Sequence, residues 1–112
     1  MTTGQQDKVK RIISAVCRVG DVDRATLVSK SKVQHIADMR SLAMYAASRH
    51  AALGVVESGA TFNRDHSTVT HAVVRMSELL GTDQCPPSVT EAYEAIKKEL
   101  AVEASEQQRT GA

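Results

Sequence analysis

Rings are scarce in this sequence: Tyr45, Tyr93 and Phe62 are its aromatics, and tryptophan is missing. Single-stranded nucleic acids are bound on aromatic stacking platforms, so that class of function is disfavoured. Cysteine is scarce too. Cys17 and Cys85 have no C-x-x-C spacing and read as reduced thiols of a cytoplasmic protein. No apolar run is long enough to span a bilayer. The polar start Met1-Thr2-Thr3-Gly4-Gln5-Gln6-Asp7 lacks the apolar region of a secretory signal. Glycine-rich phosphate loops of the G-x-x-x-x-G-K-[ST] or G-x-G-x-x-G kind are also missing, so no cofactor is expected.

What is present is an ordinary globular composition. Apolar residues make up 42% and charged residues 24% of 112, enough for one domain with a real core. A core so poor in rings is built from aliphatic side chains, which suits helices. The net charge of +1 hides an asymmetry. Residues 1–80 carry a balance of +4 and residues 81–112 a balance of −3. A basic body suits an anionic partner, although scattered surface charge gives the same numbers.

Apolar periodicity predicts about six helices and no strand. Residues 1–6 read as a disordered N-terminus. Val9, Ile12, Ile13, Val16 and Val19 define a first helix over 7–19, with Gly20 as its stop. Asp23 suits an N-cap for a short helix over 24–28, and the polar stretch 29–34 reads as a loop. Asp38 reads as the cap of a third helix with the stripe Met39, Leu42, Ala43, Ala46 and Ala47, ending before Gly54. A short helix follows over 55–61, then a tight connection at Phe62-Asn63-Arg64. Asp65 is a good cap for a helix striped by Val69, Ala72, Val73, Met76, Leu79 and Leu80, which Gly81 ends. After Cys85-Pro86-Pro87, Ser88 is the expected cap of a last helix through Tyr93, Ile96 and Leu100. The helical domain then covers 7–102, and 103–112 reads as a disordered tail.

The short helix at 55–61 and the longer one from Asp65, joined by about three residues, form a helix-turn-helix pattern at about 55–80. In such units the second helix enters the major groove and its first residues touch base edges. With Asp65 at 0° and about 100° per residue, the apolar stripe centres near 10°, while Thr70, Ser67 and His71 fall near 140°, 200° and 240°. A polar patch is therefore presented away from the core. Hydroxyls and imidazole can bind phosphate or bases, and a carboxylate can accept from cytosine N4. The same residues could simply be caps, and such corners occur in bundles that bind no DNA.

The run Arg64-Asp65-His66-Ser67-Thr68-Val69-Thr70-His71-Ala72 resembles the signature of the C-terminal DNA-binding domain of the bacterial replication initiator DnaA. Arg40-Ser41-Leu42-Ala43-Met44-Tyr45 is similar to an upstream helix of that family. The resemblance is strongest over 39–76. It implies an all-α, TrpR-like fold that binds double-stranded DNA. It implies base readout by Asp65, His66 and Ser67, with Val56 beside Val55 touching thymine methyls. It implies phosphate or backbone contact by Lys30, Lys32, Arg40, Arg64, Thr68 and His71. Three departures stand out. Asp38 aligns with a family arginine that enters the minor groove, where a carboxylate would be repelled. Asn63 replaces a glycine pair. The ATPase module of the initiator is not in this sequence, so DNA binding without the ATP-driven filament is expected.

Other constellations are weaker. Asp65-His66-Ser67 has the letters of a catalytic triad, but neighbours on a helix point apart, so no enzyme activity is expected. His66 and His71 lack the spacing of a zinc pair, and His35 and His50 are isolated. Tyr93 and Ile96 on the last helix read as core, or as a face for a second copy or a protein partner. The expected role is transcriptional regulation, with phage or mobile-element genes as targets, by a cytoplasmic, nucleoid-associated protein. The alternatives are a replication accessory acting at initiator boxes and a protein-interaction module that has lost DNA binding.

Overall fold

The computed structural model describes residues 1–110, with side chains through Ala101. Six helices follow one another: α1 (Thr3–Gly20), α2 (Arg24–Leu27), α3 (Gln34–Ala51), α4 (Val55–Phe62), α5 (His66–Leu79) and α6 (Pro87–Thr110). No strand occurs among the described residues.

α3 is the hub. It packs against α1, α2, α4, α5 and α6, and α1 also lies along α6. The reason is its side chains: Met39, Leu42, Ala43, Met44, Ala46 and Ala47 are all buried, on more than one face of the helix. Four alanines of this helix are buried, so neighbouring backbones can approach closely. Around the hub sit Ile12 and Val16 of α1, Leu27, Phe62 of α4, Val69, Ala72 and Met76 of α5, and Val89, Ala92 and Ile96 of α6, all buried. The aliphatic core expected from the composition is what forms, and Cys17 packs against it. Burial first, and then the Asp23 charge, push the Cys17 thiol above its ordinary pKa.

Several boundaries differ from the sequence reading, each for a local reason. The expected disordered N-terminus is helical from Thr3, because Thr2 and Gln5 form a reciprocal capping box. The Gln5 amide also donates to Ala51 and Ala52 carbonyls at 3.1 and 3.3 Å, tying this end to the end of α3. Gly20 lies inside α1, and Asp21 takes the left-handed C-cap conformation at φ 54°. Ala52 does the same after α3, so that helix ends at Ala51, two residues before Leu53, and Gly54 is the N-cap of α4. α3 starts at Gln34 behind Val33, so Asp38 lies inside the helix and caps nothing. α6 starts at Pro87, a favourable first-turn residue, which places Ser88 within the helix. The tail expected at 103–112 falls partly on α6, which runs to Thr110, and otherwise outside the described residues.

Other expectations hold. Asp23 caps α2 through the Thr26 N–H at 2.7 Å. Asp65 caps α5, and Gly81 adopts φ 84° after it.

Candidate nucleic-acid interface

α4 and α5 pack against each other through a turn in which Asn63 is left-handed, at φ 56°. The Arg64 N–H donates to the Gly59 carbonyl at 2.7 Å, which closes the turn. A Cβ on Gly59 would lie 2.4 Å from the Arg64 carbonyl oxygen, so this close approach needs glycine. Asparagine tolerates the left-handed region through its short polar side chain, and Asn63 takes it as the sequence reading allowed.

Past this turn, Asp65, His66, Ser67 and Thr68 are exposed together, as are Thr70 and His71 one turn on. The opposite face of α5 is fixed in the core by Val69, Ala72 and Met76. Asp65 accepts hydrogen bonds from the Ser67 N–H and the Ser67 hydroxyl. The hydroxyl bond first, and then the backbone N–H, hold the Asp65 carboxyl below the usual carboxylate range. An ionised carboxylate only accepts, so Ser67 must spend its proton on Asp65 and turns lone pairs outward. His66 Nδ1 lies 3.5 Å from Asp65 Oδ1. The corner thus offers acceptors from Asp65 and Ser67, beside one titratable ring. The Thr70 hydroxyl instead donates back to the His66 carbonyl at 3.1 Å.

Val56, at the start of α4, is 72% exposed, and Val55 beside it is also exposed. Val74 is exposed on the third turn of α5. Sequence reasoning passed over Val74, although the same helical bookkeeping puts it near 180°, the middle of the outward face.

The α2–α3 loop forms the second wall. Lys30, Ser31, Lys32, Ala37, Arg40 and Arg64 line an open cleft of about 400 Å³ with four cations and no carboxylate. Lys30 and Lys32 are exposed, and Lys30 donates to the Asn63 carbonyl at 3.2 Å. Arg64 is partly buried and donates to the Asn63 carbonyl at 2.7 Å and to the Ser29 carbonyl.

Arg40 differs from the lysines. It is only 6% exposed. Its guanidinium donates to the carbonyls of Leu27 (2.7 Å), Ser29 (2.9 Å) and Ser31 (3.3 Å). Burial first, and then the charge of Arg64, lower its pKa from the usual arginine value. The guanidinium still carries its charge, but its donors hold the loop from inside.

Asp38 is likewise turned inward. It is 7% exposed, and its Oδ1 accepts from Gln34 and from Arg75 of α5, each at 2.8 Å. Neither pairing was legible in the sequence, since Gln34 fell in the stretch read as a loop and Arg75 lies 37 residues from Asp38. Among the described residues no helix is long and apolar enough to cross a membrane.

Residues 9–76 match the family model described as the bacterial dnaA protein helix-turn-helix. The chain is also similar to curated relatives named chromosomal replication initiator protein DnaA. It is 33% identical over 94 residues to that of Bradyrhizobium sp. strain BTAi1, covering 83% of this chain and 19% of the relative. It is 33% identical over 104 residues to that of Xanthobacter autotrophicus, covering 92% and 20%. It is 33% identical over 93 residues to that of Methylacidiphilum infernorum, covering 82% and 20%. The chain spans about a fifth of the length of these relatives.

Proposed function

The chain belongs to the bacterial DnaA helix-turn-helix family of DNA-binding domains, and from that premise we propose that it reads double-stranded DNA with the first turn of α5. The observation that carries the proposal is the exposed corner Asp65, His66 and Ser67 on a helix whose other face is fixed in the core. Position and chemistry agree there: recognition helices use their N-terminal residues on base edges. The two acceptors favour a base with an exocyclic amino group, cytosine N4 or adenine N6, in the major groove. Val56 and Val55 suit thymine methyls beside it. Lys30, Lys32, Arg64, Thr68 and His71 supply phosphate contacts, and the buried Arg40 acts by holding the loop in place.

The role we favour is transcriptional regulation. Similarity to proteins named as replication initiators supports a second reading, in which the chain competes for the sites such proteins occupy. Selection of bound sequences from a random duplex pool at about 150 mM salt, near physiological ionic strength, tests the proposal. A sharp motif is expected. Competition with an initiator for that motif would favour the second reading, and a two-fold symmetric motif would indicate a homodimer. No enrichment by the folded protein would overturn DNA reading and leave a protein-interaction module.

A further inference from the structure

The pair Asp38–Arg75 joins the two walls of the interface and has no role in the contacts assigned above. Asp38 sits on α3, just beyond the loop that carries Lys30 and Lys32. Arg75 sits on α5, ten positions after Asp65. Near 280° on the helical wheel, it lies on the flank between the core stripe and the outward face. The Asp38 side chain is 10% exposed and that of Arg75 52% exposed. One end is therefore held in the protein and the other reaches it from water.

Packing of Val69, Ala72 and Met76 sets which face of α5 turns inward, and a directional contact across to α3 refines its roll. Apolar contact is non-directional, whereas an ion pair fixes the distance between two named atoms, here 2.8 Å between Arg75 and Asp38. A carboxylate that is nearly buried must be met by donors, and Gln34 and Arg75 meet it at one oxygen from two helical elements. The bond from Arg75 is the one that crosses to α5. A small roll of α5 would swing His66 and Ser67 sideways across the groove.

We propose that Asp38–Arg75 is a clamp that sets the roll of the recognition helix and cancels a carboxylate beside the basic loop, making both positioning residues for sequence discrimination. This rests on the DNA-reading proposal. The clamp has an asymmetric signature. Removing Asp38 releases Arg75 toward solvent and phosphates, whereas removing Arg75 leaves a buried charge with only an amide partner.

The test is a double-mutant cycle with Asp38→Asn, Arg75→Ala and the pair together. It reads affinity for the selected duplex, affinity for a scrambled duplex, and thermal melting. Asp38→Asn should cut discrimination about tenfold, the size of a coupled charge pair, without weakening binding to the scrambled duplex. Arg75→Ala should weaken both, and adding Asp38→Asn to it should restore the scrambled-duplex affinity but not the discrimination. Arg75→Lys, which keeps the charge, should retain most of the discrimination and stays informative if Arg75→Ala does not fold. Additive effects, or a change in melting with discrimination intact, would overturn the clamp alone. A wild-type chain with no discrimination would remove the DNA-reading proposal and the clamp with it.

Discussion

The two walls of the interface carry charge in opposite ways. On α5, Asp65, His66 and Ser67 stand in solvent and face outward. Across the cleft, Arg40 and Asp38 are nearly buried, and each is spent on partners inside the protein. The difference teaches that a charged residue beside the proposed reading corner can be spent on holding the backbone that forms it. On α5 a polar residue has only the outward face to occupy, because the inward face is filled by Val69, Ala72 and Met76. In the loop, backbone carbonyls left unpaired by the short α2 need donors, and a planar five-donor guanidinium can serve several at once.

The comparison breaks most visibly at Arg40. Arg40→Ala should cost about 3 kcal/mol of folding stability, since it strands buried carbonyls that a charged donor had satisfied. Denaturant unfolding would measure this, and Arg40→Lys should recover little because a single ammonium cannot fork to the same carbonyls. His66→Ala should behave as the mirror image. Specific binding should fall by roughly 1–3 kcal/mol with unfolding unchanged.

Arg64 stands between the two cases, partly buried and bonded to loop carbonyls yet lining the cleft. Arg64→Ala should weaken selected and scrambled duplexes alike and flatten the salt dependence by about one unit, as titrations across salt would show.

The smallest effect lies away from the interface. His50 Nε2 shares a 2.9 Å hydrogen bond with the Tyr93 hydroxyl between α3 and α6. Burial first, and then the charges of Arg49, Lys97 and Lys8, lower its pKa below the ordinary histidine value. A group depressed in the folded state gives stability that is fully present above its unfolded pKa, about 6.5, and is lost as pH falls through the folded value. Melting temperature should therefore drop modestly on acidification below about pH 6.5, and His50→Gln should remove that part of the dependence.

The α5 side of this comparison was legible in the sequence. The period of Val69, Ala72, Val73 and Met76 gave the buried face, and Asp65 as cap gave the start. Both follow from residues close together in the chain. The loop side was not legible, because what fixes Arg40 and Asp38 is long-range. Arg40 meets carbonyls 9 to 13 residues back, and Asp38 meets Arg75 37 residues on. Read alone, Asp38 looked like a helix cap and a charge hostile to DNA. Its burial against Arg75 changes both meanings. Helix ends were also misplaced wherever a non-glycine residue took the left-handed cap, as Asp21 and Ala52 do beside Gly20 and Gly54.

The most direct test of the central claim is one paired titration. Wild type and His66→Ala are each titrated with the selected duplex and with a scrambled duplex of equal length, alongside melting curves. The account predicts that His66→Ala loses affinity for the selected duplex alone, with the same melting temperature as wild type. Equal loss on both duplexes, or no loss on either, would contradict the assignment of the α5 corner as the reader.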